Sequence, residues 1–113
     1  MKKSLMNKWV KALRSDKYTQ GTSELKTKNR DGTVSHCCLG VLCEVAGVKI
    51  SYEDGLLTEE QQKLLGFYSE GGILPKGYRS KYGENVDSLA ALNDGGLTFK
   101  QIARIIETNY KTL

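Results

Sequence analysis

The run Cys37-Cys38-Leu39-Gly40-Val41-Leu42-Cys43-Glu44-Val45-Ala46 constrains this chain more than any other segment, because it is apolar almost all the way round a helical wheel. A helix of that kind has no face to give to water and must lie at the centre of what forms around it. Gly47 follows where a left-handed cap would sit, so the run predicts a buried central helix over about 37–46. With 113 residues there is material for one such core, and residues 1–113 are expected to form a single domain.

The flanking segments supply what would surround it. Leu5, Met6, Trp9, Val10 and Leu13 recur at helical steps, which predicts a first helix over 4–15 with Ser4 as its cap. Thr58 with Gln61 and Thr98 with Gln101 have capping-box spacing. The second box opens a terminal helix with Phe99, Ile102, Ala103, Ile106 and Tyr110 as its apolar stripe. Asn29-Arg30-Asp31-Gly32 is a turn signal inside a hairpin over Leu25 to His36, whereas residues 17–24 read as loop. Val48 to Tyr52 alternates like a strand. Residues 66–85, with five glycines and Pro75, read as a long irregular segment suited to a lid, and Val86 to Leu92 as a short helix or strand. The expected fold class is α+β: a small single domain with the central helix against a short antiparallel sheet, flanked by the N- and C-terminal helices.

Charge is unevenly placed. Residues 1–30 carry nine Lys and Arg against Asp16 and Glu24, a local excess of +7, while the rest of the chain is at −3. Such an excess attracts anions over roughly 8 Å at physiological salt, which suits phosphates, nucleotides or nucleic acid; the bland alternative is a solvated face. No apolar run approaches the roughly 20 residues that cross a bilayer, so no membrane partner is expected. Three cysteines, two of them adjacent, argue against a disulfide framework and for a reducing, cytoplasmic setting.

Several chemistries can be weighed from spacing. His36, Cys37, Cys38 and Cys43 cluster within eight residues, but no second ligand pair exists, and on a helix Cys38 and Cys43 diverge by roughly 140°. No metal and no cofactor is expected. A Cys37–His36 nucleophile pair is geometrically poor, since neighbours on a helix do not face each other. The acidic pairs Glu53-Asp54 and Glu59-Glu60 read as a solvated turn and a helix start. No hydrolase or phosphate-cradling motif occurs, so the chain is not expected to be an enzyme.

Binding is the stronger expectation. Lys11, Arg14, Lys17, Tyr18 and Gln20 offer cations, a forked donor, an aromatic face and a carboxamide within a short stretch, which is what a ribose-phosphate ligand requires. Asn93-Asp94-Gly95-Gly96 reads as a turn; Asn93 and Asp94 join the site where that turn approaches the Arg14 loop, with Asp94 accepting from a ribose hydroxyl or from Arg14.

Trp9-x-x-Ala12-Leu13-Arg14-Ser15-x-x-Tyr18-x-Gln20-Gly21, then Cys37-Cys38-Leu39-Gly40-Val41-Leu42-Cys43, and then Leu92-Asn93-Asp94 together resemble a group of small proteins encoded by tailed bacteriophages. The resemblance implies a phage accessory protein acting in the host bacterial cytoplasm, with no mechanism attached. The function expected is sequestration, without chemistry, of an anionic nucleotide-type small molecule such as a host immune signal, in a homo-oligomer. The alternative is a nucleic-acid- or host-protein-binding inhibitor that uses the basic first helix.

Overall fold

The apolar run forms a helix at the centre of the core, as its composition demands. This helix and its surroundings come from a computed structural model that describes residues 1–52 and 54–113; Glu53, half of one acidic pair, lies outside the described residues. In chain order the elements are α1 (Lys3–Arg14), β1 (Thr19–Gln20), β2 (Lys26–Lys28), β3 (Val34–His36), α2 (Cys38–Ala46), α3 (Glu59–Leu65), β4 (Ile73–Arg79), β5 (Asn85–Ser88), α4 (Leu89–Asp94) and α5 (Phe99–Asn109), with a short 3-10 turn over Tyr110–Thr112. The fold class is α+β.

In α2 every residue from Cys38 to Cys43 is buried, and Gly47 closes the helix at φ 71°. Gly40 lets the helix meet the backbone before β2: a Cβ there would fall inside the van der Waals shell of the Leu25 carbonyl. Helix α1 buries Met6, Trp9, Val10 and Leu13 between α2 and α5. The Trp9 indole donates to the Cys38 carbonyl at 2.8 Å, and its ring meets Phe67 edge-on with centroids 5.9 Å apart. Phe99, Ile102, Ala103 and Ile106 of α5 complete the core, and both expected capping boxes form. Ser4 lies inside α1 and caps nothing; the cap position is Lys2, which makes no side-chain bond there. Tyr110 is only partly buried, and Leu113 enters the core at that end.

The expected hairpin is β2–β3, antiparallel with Thr27 opposite Ser35. Strand β1, in the stretch read as loop, adds to the other edge of β3 in parallel, with Gln20 opposite His36, so this sheet is mixed. Two residues are too few to carry a strand period. Residues 48–52 are not a strand. Val48 and Ile50 are buried and Lys49 exposed, but the backbone of this extended segment bonds elsewhere: the Lys49 carbonyl accepts from the Gln61 side chain and the Ser51 amide donates to Asp54. The supposed lid over 66–85 is largely the β4–β5 hairpin, which pairs Tyr78 with Val86 and Arg79 with Asn85. Pro75 sits where its register is irregular, and Gly77 leaves space that the Asn85 side chain fills, so both breakers belong to a strand. The stretch 86–92 is strand and then helix, with Ser88 accepting from the Ala91 amide as the α4 cap.

Gly40→Ala is expected to destabilise the fold by at least about 3 kcal/mol, because the clash is with backbone that cannot turn aside. Urea unfolding followed by the fluorescence of the single buried Trp9 measures this; Gly55→Ala, at an exposed position with nothing in the way among the described residues, is expected to leave the midpoint unchanged.

Candidate functional site

The helical period that buries Trp9 and Leu13 places Lys8, Lys11 and Ala12 along one outer edge of α1, beside the last turn of α2. The helix stops at Arg14, where Ser15 turns extended and its hydroxyl donates to the Ala12 carbonyl at 2.7 Å. The chain then doubles past the helix end, bringing Lys17 and Tyr18 to the same place. The result is an open groove of about 570 Å³ with Lys8, Lys11 and Lys17 around it, the Tyr18 ring, Ala12 and Val45 as apolar surface, and Glu44 as the one carboxylate of its lining. The Lys17 ammonium rests 5.4 Å from the centre of the Tyr18 ring. Three cations against one anion, around an aromatic wall, favour a ligand that is both negatively charged and flat.

The other expected site residues lie elsewhere. Arg14 is turned to α5, where its guanidinium bonds and pairs with Glu107; the same contact raises the arginine's pKa and lowers that of the carboxylate. The expected Asp94–Arg14 contact therefore does not form. Gln20 is fully spent inside the fold: its amide donates to Asn93 Oδ1 at 3.1 Å and to the Leu97 carbonyl at 2.7 Å, and its oxygen accepts from the Phe99 amide at 3.1 Å. Asn93 is 1 % exposed, accepts also from the Cys38 amide at 3.1 Å and donates to the Gly21 carbonyl at 2.8 Å. Asp94 accepts from the amide of Ser23, which sits at φ 71°. Asn93 and Asp94 end α4 and only Gly95-Gly96 form the turn, and that helix end approaches the segment after the first helix through Gln20, Gly21 and Ser23. Of the seven residues, Lys11, Lys17 and Tyr18 come together, Arg14 stands apart, and Gln20, Asn93 and Asp94 are structural. Lys8, Glu44 and Val45 are not among the expected residues: nothing local sets Lys8 apart from other exposed lysines, and Glu44 and Val45 lie on a helix apolar almost all the way round, where the lone charge of Glu44 is the available signal.

Behind the groove lies His36, 6 % exposed, with neither ring nitrogen hydrogen-bonded among the described residues. Its ring meets Tyr18 edge to face at 5.2 Å, and Nε2 stands 3.6 Å from the Glu44 carboxylate, beyond hydrogen-bond reach. Burial lowers its pKa below 6.5, against the pull of Glu44 and with some help from Lys26. Burial also raises all three thiol pKa values, that of Cys43 to about 12, so they stay protonated and poorly nucleophilic. Among the described residues no group of three or more His, Cys, Asp and Glu side chains is placed to hold a metal ion, and no helix is long and apolar enough to cross a membrane. A second hollow, of about 460 Å³, lies between Arg79, Lys81 and the start of α5, but its Thr98 and Gln101 side chains are occupied by the capping box and it has no aromatic wall.

A family model described as a domain of unknown function, DUF8296, matches residues 1–82, well over half of the chain. The chain belongs to that family. Every lining residue of the α1–α2 groove falls inside the matched region, while Asn93 and α5 lie beyond it. No curated protein and no solved structure matches the chain.

Two expectations follow from this geometry. Asn93→Ala strands the Cys38 amide and the Gly21 carbonyl and is expected to cost about 2–4 kcal/mol in urea unfolding, whereas Arg14→Ala breaks only an exposed pair and should leave the midpoint nearly unchanged. Stability should also fall as pH drops below about 6.5, because the unfolded chain takes up a proton there that buried His36 refuses. The low-lying carboxyls of Asp31 and Glu107 enter only below their ordinary values of 3.8 and 4.5. Urea midpoints between about pH 7 and pH 5 thus isolate the histidine, and His36→Phe should flatten that slope.

Proposed function

We propose that this chain binds an anionic, nucleotide-type small molecule in the α1–α2 groove and holds it without chemistry. The observation that carries the reading is the convergence of Lys8, Lys11 and Lys17 on a concavity with an aromatic wall, of a volume within the roughly 300–1,000 Å³ of small-molecule sites. Phosphate oxygens meet the ammonium groups, and a base lies against Tyr18 and the apolar Ala12 and Val45. The protonated thiols and the absence of any hydrogen bond to His36 among the described residues support binding over turnover. The resemblance to tailed-phage proteins supplies the setting we propose, an accessory protein that withdraws a host signal from solution. In the proposed sequestering form a second copy covers the groove's open side, since slow release needs an enclosed ligand.

Calorimetric titration with ADP and with a cyclic dinucleotide tests this. Lys11→Glu with Lys17→Glu should weaken binding by at least about 10-fold and Tyr18→Ala by about 5-fold or more, while Arg14→Ala leaves it unchanged and the ligand is recovered intact. Equal affinity in the lysine double variant would end the proposal. Duplex DNA bound with a steep salt dependence, near −0.9 per neutralised phosphate in log–log slope, would replace it with nucleic-acid binding along α1.

A further inference from the structure

We propose that His36 is a proton-linked determinant of anion affinity in the groove, drawing the Glu44 carboxylate out of the lining when it is protonated. The inference rests on the groove reading and adds to it a residue that does not line the groove.

A buried imidazole with two orphaned nitrogens is an expensive thing to keep, and a phenyl ring would pack against Tyr18 without leaving polar atoms unpaired. The placement of the ring gives it a use. Its two close neighbours, Tyr18 on the segment after α1 and Glu44 on α2, both line the groove. From β2, Lys26 faces it as its register partner, and Lys17 lies over the Tyr18 ring. In the neutral form Nε2 and the carboxylate stand 3.6 Å apart, and Glu44, about one-third exposed, keeps its negative charge in the groove where it opposes an anion. A proton on the ring makes a charge-assisted bond to Glu44 available over a closing movement of about 0.7–0.9 Å. The groove then loses its one opposing charge and gains a positive one behind its wall. By linkage an anion in the groove favours the same protonated state, so binding is accompanied by proton uptake at His36. Burial, with a smaller contribution from Lys26, works against the imidazolium and holds its titration below the ordinary 6.5 in the empty protein.

The chain has a single histidine, so one imidazole resonance reports the site. Sulfate, whose charge is constant across the range, can be titrated by NMR between about pH 8 and pH 5.5, where histidine titrates. In the intact chain its affinity should rise by about 5-fold or more as pH falls, and saturating sulfate should move the His36 titration midpoint upward. His36→Phe should bind sulfate with no such slope. Glu44→Gln, which leaves the core untouched, should bind more tightly at the upper end and show a reduced slope. Sulfate binding whose pH dependence is the same in all three proteins overturns the role of His36 and leaves the groove standing. Sulfate that perturbs no groove resonance at any pH overturns the groove reading and this inference together.

Discussion

The Asn93 carboxamide is the interaction on which the rest of the structure depends. It is buried at the meeting point of α4, α2 and β1, and each of its polar atoms has work there: the oxygen holds the Cys38 amide and the Gln20 side chain, and the nitrogen holds the Gly21 carbonyl. The Cys38 amide belongs to the first turn of α2, where no intrahelical partner exists and Cys37 supplies no side-chain cap. Asn93 therefore caps a helix from 55 residues away in the chain. Through Gln20 the same network reaches the first amide of α5. A central helix whose first turn is apolar cannot satisfy its own N-terminal amides from nearby side chains, and this carboxamide relay solves the problem.

The relay also fixes where the groove lies. Because Gln20 and Gly21 are tied down at β1, the short connection from α1 has only Ser15 to Thr19 in which to reverse, and that tight path brings Lys17 and Tyr18 back beside the helix that precedes them. Arg14, one residue before the reversal, points instead to α5 and is neutralised by Glu107. Of the nine cations in residues 1–30, Arg14 thus joins two helices as an ion pair, while Lys8, Lys11 and Lys17 gather at the groove. Exposed lysines alone say little, since such faces are commonly just solvated. What separates these three is the concavity and ring that they share.

Much of the scaffold was legible in the sequence. The 3.6-residue period of α1 and α5, the two Thr-Gln boxes and Gly47 each act within a turn of the chain, so local reading finds them. The failures share a physical cause. Residues 48–52 have a strand's alternation without a neighbouring strand, while 73–79 form a strand despite Pro75 and Gly77, because pairing is decided by partners distant in sequence. The site was half legible for the same reason. Lys11, Lys17 and Tyr18 were found from charge and residue type, but nothing local distinguishes a carboxamide that reads a ligand from one that satisfies a helix end. Gln20 and Asn93 look equally suited to either task until their partners are known.

That ambiguity bears on the pattern formed by Trp9, the Gln20-Gly21 pair, the Cys37–Cys43 run and Asn93-Asp94. Trp9 bonds the Cys38 carbonyl, Asn93 bonds the Cys38 amide, Gln20 and the Gly21 carbonyl bond Asn93, and Gly40 admits the Leu25 backbone. The tryptophan, the Gln-Gly pair, the cysteine run and the Asn-Asp end of α4 are therefore parts of one internal network. The cysteines belong to it as small, protonated packing groups, Cys38 donating weakly to the Leu89 carbonyl at 3.7 Å. The pattern thus describes how the domain is held together. Of the groove's charged residues, Lys8, Lys11, Lys17 and Glu44 stand outside the pattern, and each can change without disturbing the network. Two chains sharing the pattern would share this scaffold and the Tyr18 and Ala12 wall of the groove, while the charges around that wall could differ between them.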